Sequence, residues 1–443
     1  MFSNKDLRKL IIPLVIEQLL AVTIGMADTV MVSSCGEAAV SGISLVDSIN
    51  FLLITLFSSL ATGGAVIASQ YIGRGDHKSA SLAAKQLFYA SLALSAVLGV
   101  IAVFFRKPVL NMVFGSIEAD VMAHAQIYFL LSAISYPFLA VYNAGAALFR
   151  SMGDSRTTML ISILMNTINI VGNAILIYGF QMAAAGAAAA SLVSRAVGAI
   201  IITVLLLNPR RIIFYDKLYK PEIHLSMLKS ILQIGVPNGL ENSIFQIGKI
   251  LVASIVSGFG TISITANAVA GNLASLQVIP GMALGMAMIT VVGQCIGAKD
   301  YEAVKKYTKK LMLITYGVVW AMTLLMLLFS KQILSFYSLS EETTTMTMEV
   351  FIMHGICAVI VWPLAFALPN ALRAANDVRF TMIVSLLSMW IFRIGFSYIL
   401  AIYFNMGILG TWIAMCIDWF CRGACFVIRF ARGKWKNISF IDN

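Results

Sequence analysis

The chain has 443 residues, of which 60% are apolar and only 12% charged, and its formal net charge is +11. With a mean hydropathy of +0.89 it lies far from a soluble domain, in which about a quarter of residues are charged, and this excludes a cytosolic enzyme or water-soluble binding module. The basic excess is not a nucleic-acid surface either, because Lys and Arg gather in alternate connections between apolar stretches.

Stretches of about 20 apolar residues predict twelve spans, at about residues 10–32, 43–71, 86–105, 124–149, 158–178, 183–207, 231–256, 265–295, 311–329, 347–372, 381–404 and 408–430. Residues 13–76 recur 224 positions later, in register at Pro13/Pro237, Glu17/Glu241, Gly36/Gly260, Gln70/Gln294, Gly73/Gly297 and Asp76/Asp300. The later part of each half repeats with small slips, at Pro137/Pro363, Asp154/Asp377, Arg156/Arg379, Thr158/Thr381 and Gly186/Gly410. Whole six-span units are therefore duplicated, and an even number of spans per unit makes the copies parallel. The predicted fold is an all-α polytopic membrane protein of 12 transmembrane helices in two six-helix lobes, 1–207 and 231–443, joined by a cytoplasmic linker over 208–230.

Lys5, Arg8 and Lys9 precede the first span, and basic residues recur at 74–85, 150–156, 210–229, 299–310, 373–379 and in the C-terminal tail. The positive-inside rule then puts both termini in the cytoplasm of a multi-pass cell-membrane protein. The start resembles a signal peptide, but Glu17 and Asp28 within the apolar stretch, and a repeat that needs this span, predict its retention. The six cysteines lack the spacing of a zinc or redox site, and neither HExxH, GxSxG nor a P-loop occurs. No segment could form an ATP-hydrolysing module, so the expected energy source is an ion gradient or the substrate's own gradient.

A charged side chain at membrane depth costs about 2.5–3.5 kcal/mol on insertion scales and calls for a partner or a task. Those in the first half are Glu17, Asp28, Asp47 and Arg195; in the second, Glu241, Lys249, Arg393 and Asp418. Asp28 is the sharpest candidate, among small neighbours toward the outer end of the first span. Removal from water disfavours the charged form of any carboxylate, and a group that gains and loses a proton in each cycle is what a proton-coupled carrier needs. The competing reading is a helix tie or an interfacial carboxylate, and for Asp47 a solvated interfacial position is preferred. Glu17 lies three helical turns from Asp28 on one face and, with Gln18, could line the same cavity, or it could complement a helix N-terminus. Asn166, Asn169 and Asn173 form a polar stripe that Ser191 could join, as a binding surface or as interhelical glue. Lys249, Arg393 and Asp418 are expected to neutralise one another.

Ala27-Asp28-Thr29-Val30-Met31-Val32, the twin segments Gln70-Tyr71-Ile72-Gly73-Arg74-Gly75-Asp76 and Gln294-Cys295-Ile296-Gly297-Ala298-Lys299-Asp300, Arg150-Ser151-Met152-Gly153-Asp154 and Asn169-Ile170-Val171-Gly172-Asn173 together resemble the multidrug and toxic compound extrusion (MATE) family, across nearly the whole chain. The resemblance implies two lobes around a central cavity that alternately faces each side, exporting organic cations in exchange for protons or sodium. It implies Asp28 as the coupling carboxylate, accompanied by Asn169, Asn173 and Ser191, with sodium possible at Asp28 and the proton preferred. Asn173 stands where some members carry a second aspartate. Glu241 matches a glutamate of a second-lobe sodium site, but the aspartate expected with it is missing from Trp362-Pro363-Leu364-Ala365-Phe366-Ala367-Leu368. Expected partners are small-molecule organic cations and membrane lipids, with no nucleic acid, obligate protein partner or cofactor beyond the coupling ion. The rival readings are a flippase for a lipid-linked precursor, a membrane-embedded enzyme, and a scaffold or receptor without transport.

Overall fold

The computed structural model describes residues 2–115, 118–337 and 339–438. Its first half runs α1 (Asn4–Ser33), α2 (Glu37–Arg74), α3 (His77–Phe114), α4 (Ala119–Ser151), α5 (Ser155–Asn173), which continues as a π-helical stretch Ala174–Gly179, and α6 (Ala183–Leu206). The second half runs α7 (Leu225–Ser257), α8 (Thr261–Gly297), α9 (Tyr301–Leu328), the short α10 (Ser330–Ser335), and α11 (Glu341–Ile360) followed by a π-helical turn Pro363–Ala367 and α12 (Leu368–Ala374). It closes with α13 (Val378–Ser388), which passes through π-helical Met389–Gly395, α14 (Phe396–Tyr398) and π-helical Ile399–Tyr403, and with α15 (Gly407–Ala431). Among the described residues 11 helical stretches are long and apolar enough to cross a membrane, and α1, with 30 residues, supplies the twelfth rod. At 1.5 Å per residue the 38 residues of α2 span about 57 Å, well beyond a hydrocarbon core of about 30 Å.

Three of the repeated pairs turn out to be joints. Gly36 and Gly260 are the N-caps of α2 and α8 at φ +95° and +89°, a backbone conformation that side chains rarely adopt. Asp76 and Asp300 cap α3 and α9, accepting hydrogen bonds from the Ser79 amide at 3.0 Å and the Ala303 amide at 2.9 Å. Gly186 and Gly410 let the last helix of each half close on the one before it. A Cβ at Gly186 would come within 3.1 Å of Leu176, and one at Gly410 within 2.7 Å of the Ala401 backbone nitrogen. We expect Gly410→Ala to cost about 1–3 kcal/mol, the range for overpacking a filled interior, and Gly186→Ala less, because its neighbours stand further off. Thermal unfolding of the two purified variants checks the order.

The opening prolines lie deeper in their helices than predicted spans beginning at 10 and 231 imply. A capping box between Ser3 and Asp6 starts α1 at Asn4, so Pro13 lies deep inside the helix, as Pro237 does in α7. Glu17 is therefore too far along to complement a helix N-terminus.

The chain divides into two compact units, residues 1–239 and 240–443. The division falls inside α7 because its first turns belong to the first unit: a Cβ on Gly63 of α2 would meet the Ile231 carbonyl at 2.5 Å. Residues of the connection before α7 are also held by the first unit. Gln86 donates to the Glu222 carbonyl at 2.7 Å and accepts from the His224 amide at 3.0 Å, while the Tyr89 hydroxyl donates to the Leu218 carbonyl at 2.8 Å.

The core of the first unit gathers Val46 and Phe57 of α2, Ala102 of α3, and Phe129 and Tyr136 of α4. That of the second gathers Val319, Trp362, Trp412 and Trp419 around α8 and α15. In the second core the buried His354 ring meets the Gln277 carbonyl oxygen through Nδ1 at 2.9 Å, and the Gln277 amide bonds Thr323. Large apolar side chains such as Val97, Val100, Phe104, Leu324, Leu328, Ile356 and Ile360 stand exposed, an outer surface suited to lipid.

Candidate functional site

In the first unit a chain of hydrogen bonds links α1, α5 and α6. Asn173 donates through Nδ2 to Asp28 Oδ1 at 2.6 Å and to Asn169 Oδ1 at 3.4 Å, and Asn169 Nδ2 donates to Ser191 Oγ at 3.0 Å. The spacing of i and i+4 puts both asparagines on one face of α5, and both are buried while Asp28 is half-buried. Asn173 Oδ1 is buried without a hydrogen-bond partner, so an unused oxygen adjoins the carboxylate. A Cβ at Gly25 would meet only open space. The side chains of Met26, Ala27 and Thr29 lie outside the described ones.

The sequence brought together four of these residues, but not the others it attached to them. Asn166 bonds Ser162 on its own helix at 3.4 Å. Gln18 is half-buried.

A second polar chain lies beside the first. Asp47 accepts from the Tyr128 hydroxyl at 3.0 Å and from Asn50 Nδ2 at 3.3 Å, so it is more firmly held than a solvated interfacial carboxylate. Asn50 in turn accepts from Tyr136 at 2.8 Å and donates to Ser132 at 3.3 Å, and Arg195 donates to Ser135 at 2.7 Å. The charge of Arg195 reaches both Asp28 and Asp47, and the Asp47 carboxylate also acts on Asp28. Sequence reading missed the α4 side of this chain, although Tyr128, Ser132, Ser135 and Tyr136 follow a helical spacing on one face.

Glu17 leaves the Asp28 region altogether. It is buried, pairs with Arg150 of α4 at 3.3 Å and accepts from Thr158 of α5 at 2.8 Å. Its repeat partner Glu241 pairs with Arg373 at 2.7 Å, and Arg373 also donates to Asn370 at 3.0 Å. Both halves thus use the glutamate four residues after the proline to hold a basic residue at the end of their fourth rod, and among the described residues Glu241 forms no ion pair with Lys249 or Arg393. A second pair of ties repeats as well: Asp154 meets Arg211 at 3.3 Å, and Asp377 meets Arg429 at 2.7 Å.

The expected mutual neutralisation of Lys249, Arg393 and Asp418 does not form. Asp418, fully buried, pairs with Arg422 at 2.9 Å one turn along α15 and accepts from Ser388. Arg422, absent from the charges expected at membrane depth, is carried by α15 as a buried residue stacked over Phe366 at 4.6 Å. Lys249 and Arg393 form no ion pair among the described residues, and Arg393 Nε is buried without an acceptor.

The MatE family model matches residues 13–175 and again residues 237–399, each copy beginning at its repeated proline. The chain belongs to the MatE family. It is 26% identical to the uncharacterized transporter YisQ of Bacillus subtilis (strain 168), covering 96% of this chain and 93% of that protein. It is likewise 26% identical to a probable multidrug resistance protein NorM of Thermotoga maritima, covering 98% and 93%. A crystal structure of MATE in the straight conformation superposes with a TM-score of 0.90 over 98% of this chain and 97% of that one, at 20% identity. This MatE protein is thus a multi-pass membrane transporter of small molecules rather than an enzyme. Its second half departs from the first where the chemistry lies. In the 224-residue register of the opening span, Gly25 becomes Lys249 and Asp28 becomes Val252, while Arg393 and Ser397 fall one residue past the 223-residue counterparts of Asn169 and Asn173. No group of three or more His, Cys, Asp or Glu side chains suited to a metal ion occurs among the described residues.

Proposed function

We propose that this MatE chain is a cation-coupled antiporter that exports drugs and other organic cations across the cell membrane by alternating access. In this reading both termini are cytoplasmic and Asp28 is the coupling carboxylate. The proton is preferred to sodium as the coupling ion. The supporting observation is the chain from Asp28 through Asn173 and Asn169 to Ser191, with small polar groups from three helices converging on one acid. The name of the Thermotoga maritima relative, a probable multidrug resistance protein, supports the same substrate class.

Coupling follows from mutual exclusion. An ion bound at Asp28 removes the negative charge that an organic cation would use, so ion and drug favour different states of one site, and each gradient can drive the other. Asn173 holds the carboxylate through its Nδ2, and its unused Oδ1 is an oxygen that sodium could employ together with Asp28. Glu241 has an arginine as its partner, which weighs against a sodium site around it.

The test is reconstitution in liposomes with a fluorescent organic cation under an imposed proton gradient or, separately, a sodium gradient. Uphill movement driven by the proton gradient alone is the expected result; movement under sodium alone changes the ion. No flux of any tested cation under either gradient would overturn the antiport reading.

A further inference from the structure

The second unit contains two cations that form no ion pair among the described residues, although the Asp418 charge reaches Arg393. Lys249 and Arg393 sit in membrane-spanning stretches, on α7 and on the π-helical Met389–Gly395. The packing that joins them is close: a Cβ on Gly248, adjacent to Lys249, would strike the Met389 side chain one turn before Arg393. The Arg393 charge acts on Lys249 as a like charge. The acid that could relieve them, Asp418, is already taken by Arg422 and Ser388. With three cations and one carboxylate, the cluster keeps an excess of two positive charges.

The surroundings say what kind of group would suit it. The Lys249 ammonium lies 5.3 Å from the centroid of the Phe245 ring, and the Arg422 guanidinium 5.5 Å from the same ring. Phe245 and Phe366 meet edge to face with centroids 6.2 Å apart. Lys249 itself is exposed and Arg393 half-buried, so both can be reached. The site therefore offers one planar guanidinium able to grip two oxygens and one mobile ammonium, beside an aromatic wall for an apolar body. The contrast with the first unit is one of sign: a carboxylate and asparagines there, a lysine and an arginine at or near the repeat-related positions here.

We propose that Lys249 and Arg393 form a binding site in the second unit for an oxyanion carried on an apolar body, such as an aromatic carboxylate or the headgroup of an anionic lipid. The site goes beyond the antiport reading and does not depend on Asp28. A substrate with both a cationic and an acidic group would find chemistry for each in this chain.

Equilibrium binding of a radiolabelled naphthalene carboxylate to the purified full-length protein, in detergent and without any gradient, tests it. Saturable binding that weakens about tenfold or more in Lys249→Met and in Arg393→Met, as expected for loss of a charge contact to an anion, and that persists in Lys249→Arg, is the expected result. Lys249→Arg guards against misreading a folding defect, as does a thermal midpoint for each variant. Repeating the measurement in nanodiscs of phosphatidylcholine and of phosphatidylglycerol separates the sources: binding lost only in phosphatidylglycerol assigns the site to a lipid headgroup, and binding kept in both assigns it to a free acid. No saturable binding in detergent or in phosphatidylcholine, or equal affinity in wild type and the Lys249→Met/Arg393→Met variant, overturns the proposal.

Discussion

Asp28→Asn is expected to reduce gradient-driven export to the level of passive leak while leaving a folded protein. The replacement keeps an oxygen able to accept the 2.6 Å bond from Asn173, so the link between α1 and α5 survives. What disappears is the ability to alternate between a charged and a neutral or ion-bound state, without which neither gradient has purchase on the other. Parallel measurement of uphill flux and of thermal midpoint separates the two effects. An Asp28→Asn protein that still concentrates substrate would show that the acid is only a tie between helices.

The largest stability effect is expected at Arg422. Removing one member of a buried ion pair typically costs about 3–5 kcal/mol, because the remaining charge is left without its partner. Asp418 is 0% exposed and would retain only Ser388, so Arg422→Ala should fall in that range. Truncation also strips the guanidinium from the Phe366 face. Replacing both charges, as in Asp418→Leu/Arg422→Met, should recover most of the loss, since an apolar pair of similar size needs no desolvation. Thermal unfolding of the single and double variants reads this directly, and equal destabilisation in both would contradict it.

The sequence was a good guide to whatever depends on period and repetition. Hydropathy located the rods, and the register of Gly36/Gly260, Asp76/Asp300 and Gly186/Gly410 marked the joints, since these positions answer to local backbone geometry that a duplicated gene preserves. Asp28, Asn169, Asn173 and Ser191 could be grouped because i and i+4 spacing and family resemblance agree. Partner choice was harder. Glu17 looked like a neighbour of Asp28 because helical spacing reports a shared face but not which helix covers each turn of it, and α4 covers the turn at Glu17 with Arg150. Arg422 lies inside the predicted span 408–430 but was not counted among the charges at membrane depth, since it stands close to the basic tail, whereas α15 buries it against Asp418. Arg393 was matched to Asp418 on membrane depth and sign alone, which do not say which of two nearby guanidinium groups takes the one acid, and Arg422 on the same helix takes it.

The hold of the first unit on the connection before α7 bears on how the protein could be made in pieces. A chain cut between residues 208 and 224 for separate expression of its halves would look harmless on paper, since that stretch is polar. Such a cut would sever the strap that Gln86 and Tyr89 fasten to α3 and would assign the start of α7, which closes over Gly63, to the wrong fragment. A first fragment ending there would bare Gly63 of α2, so the two fragments would have to be made together for that close contact to form.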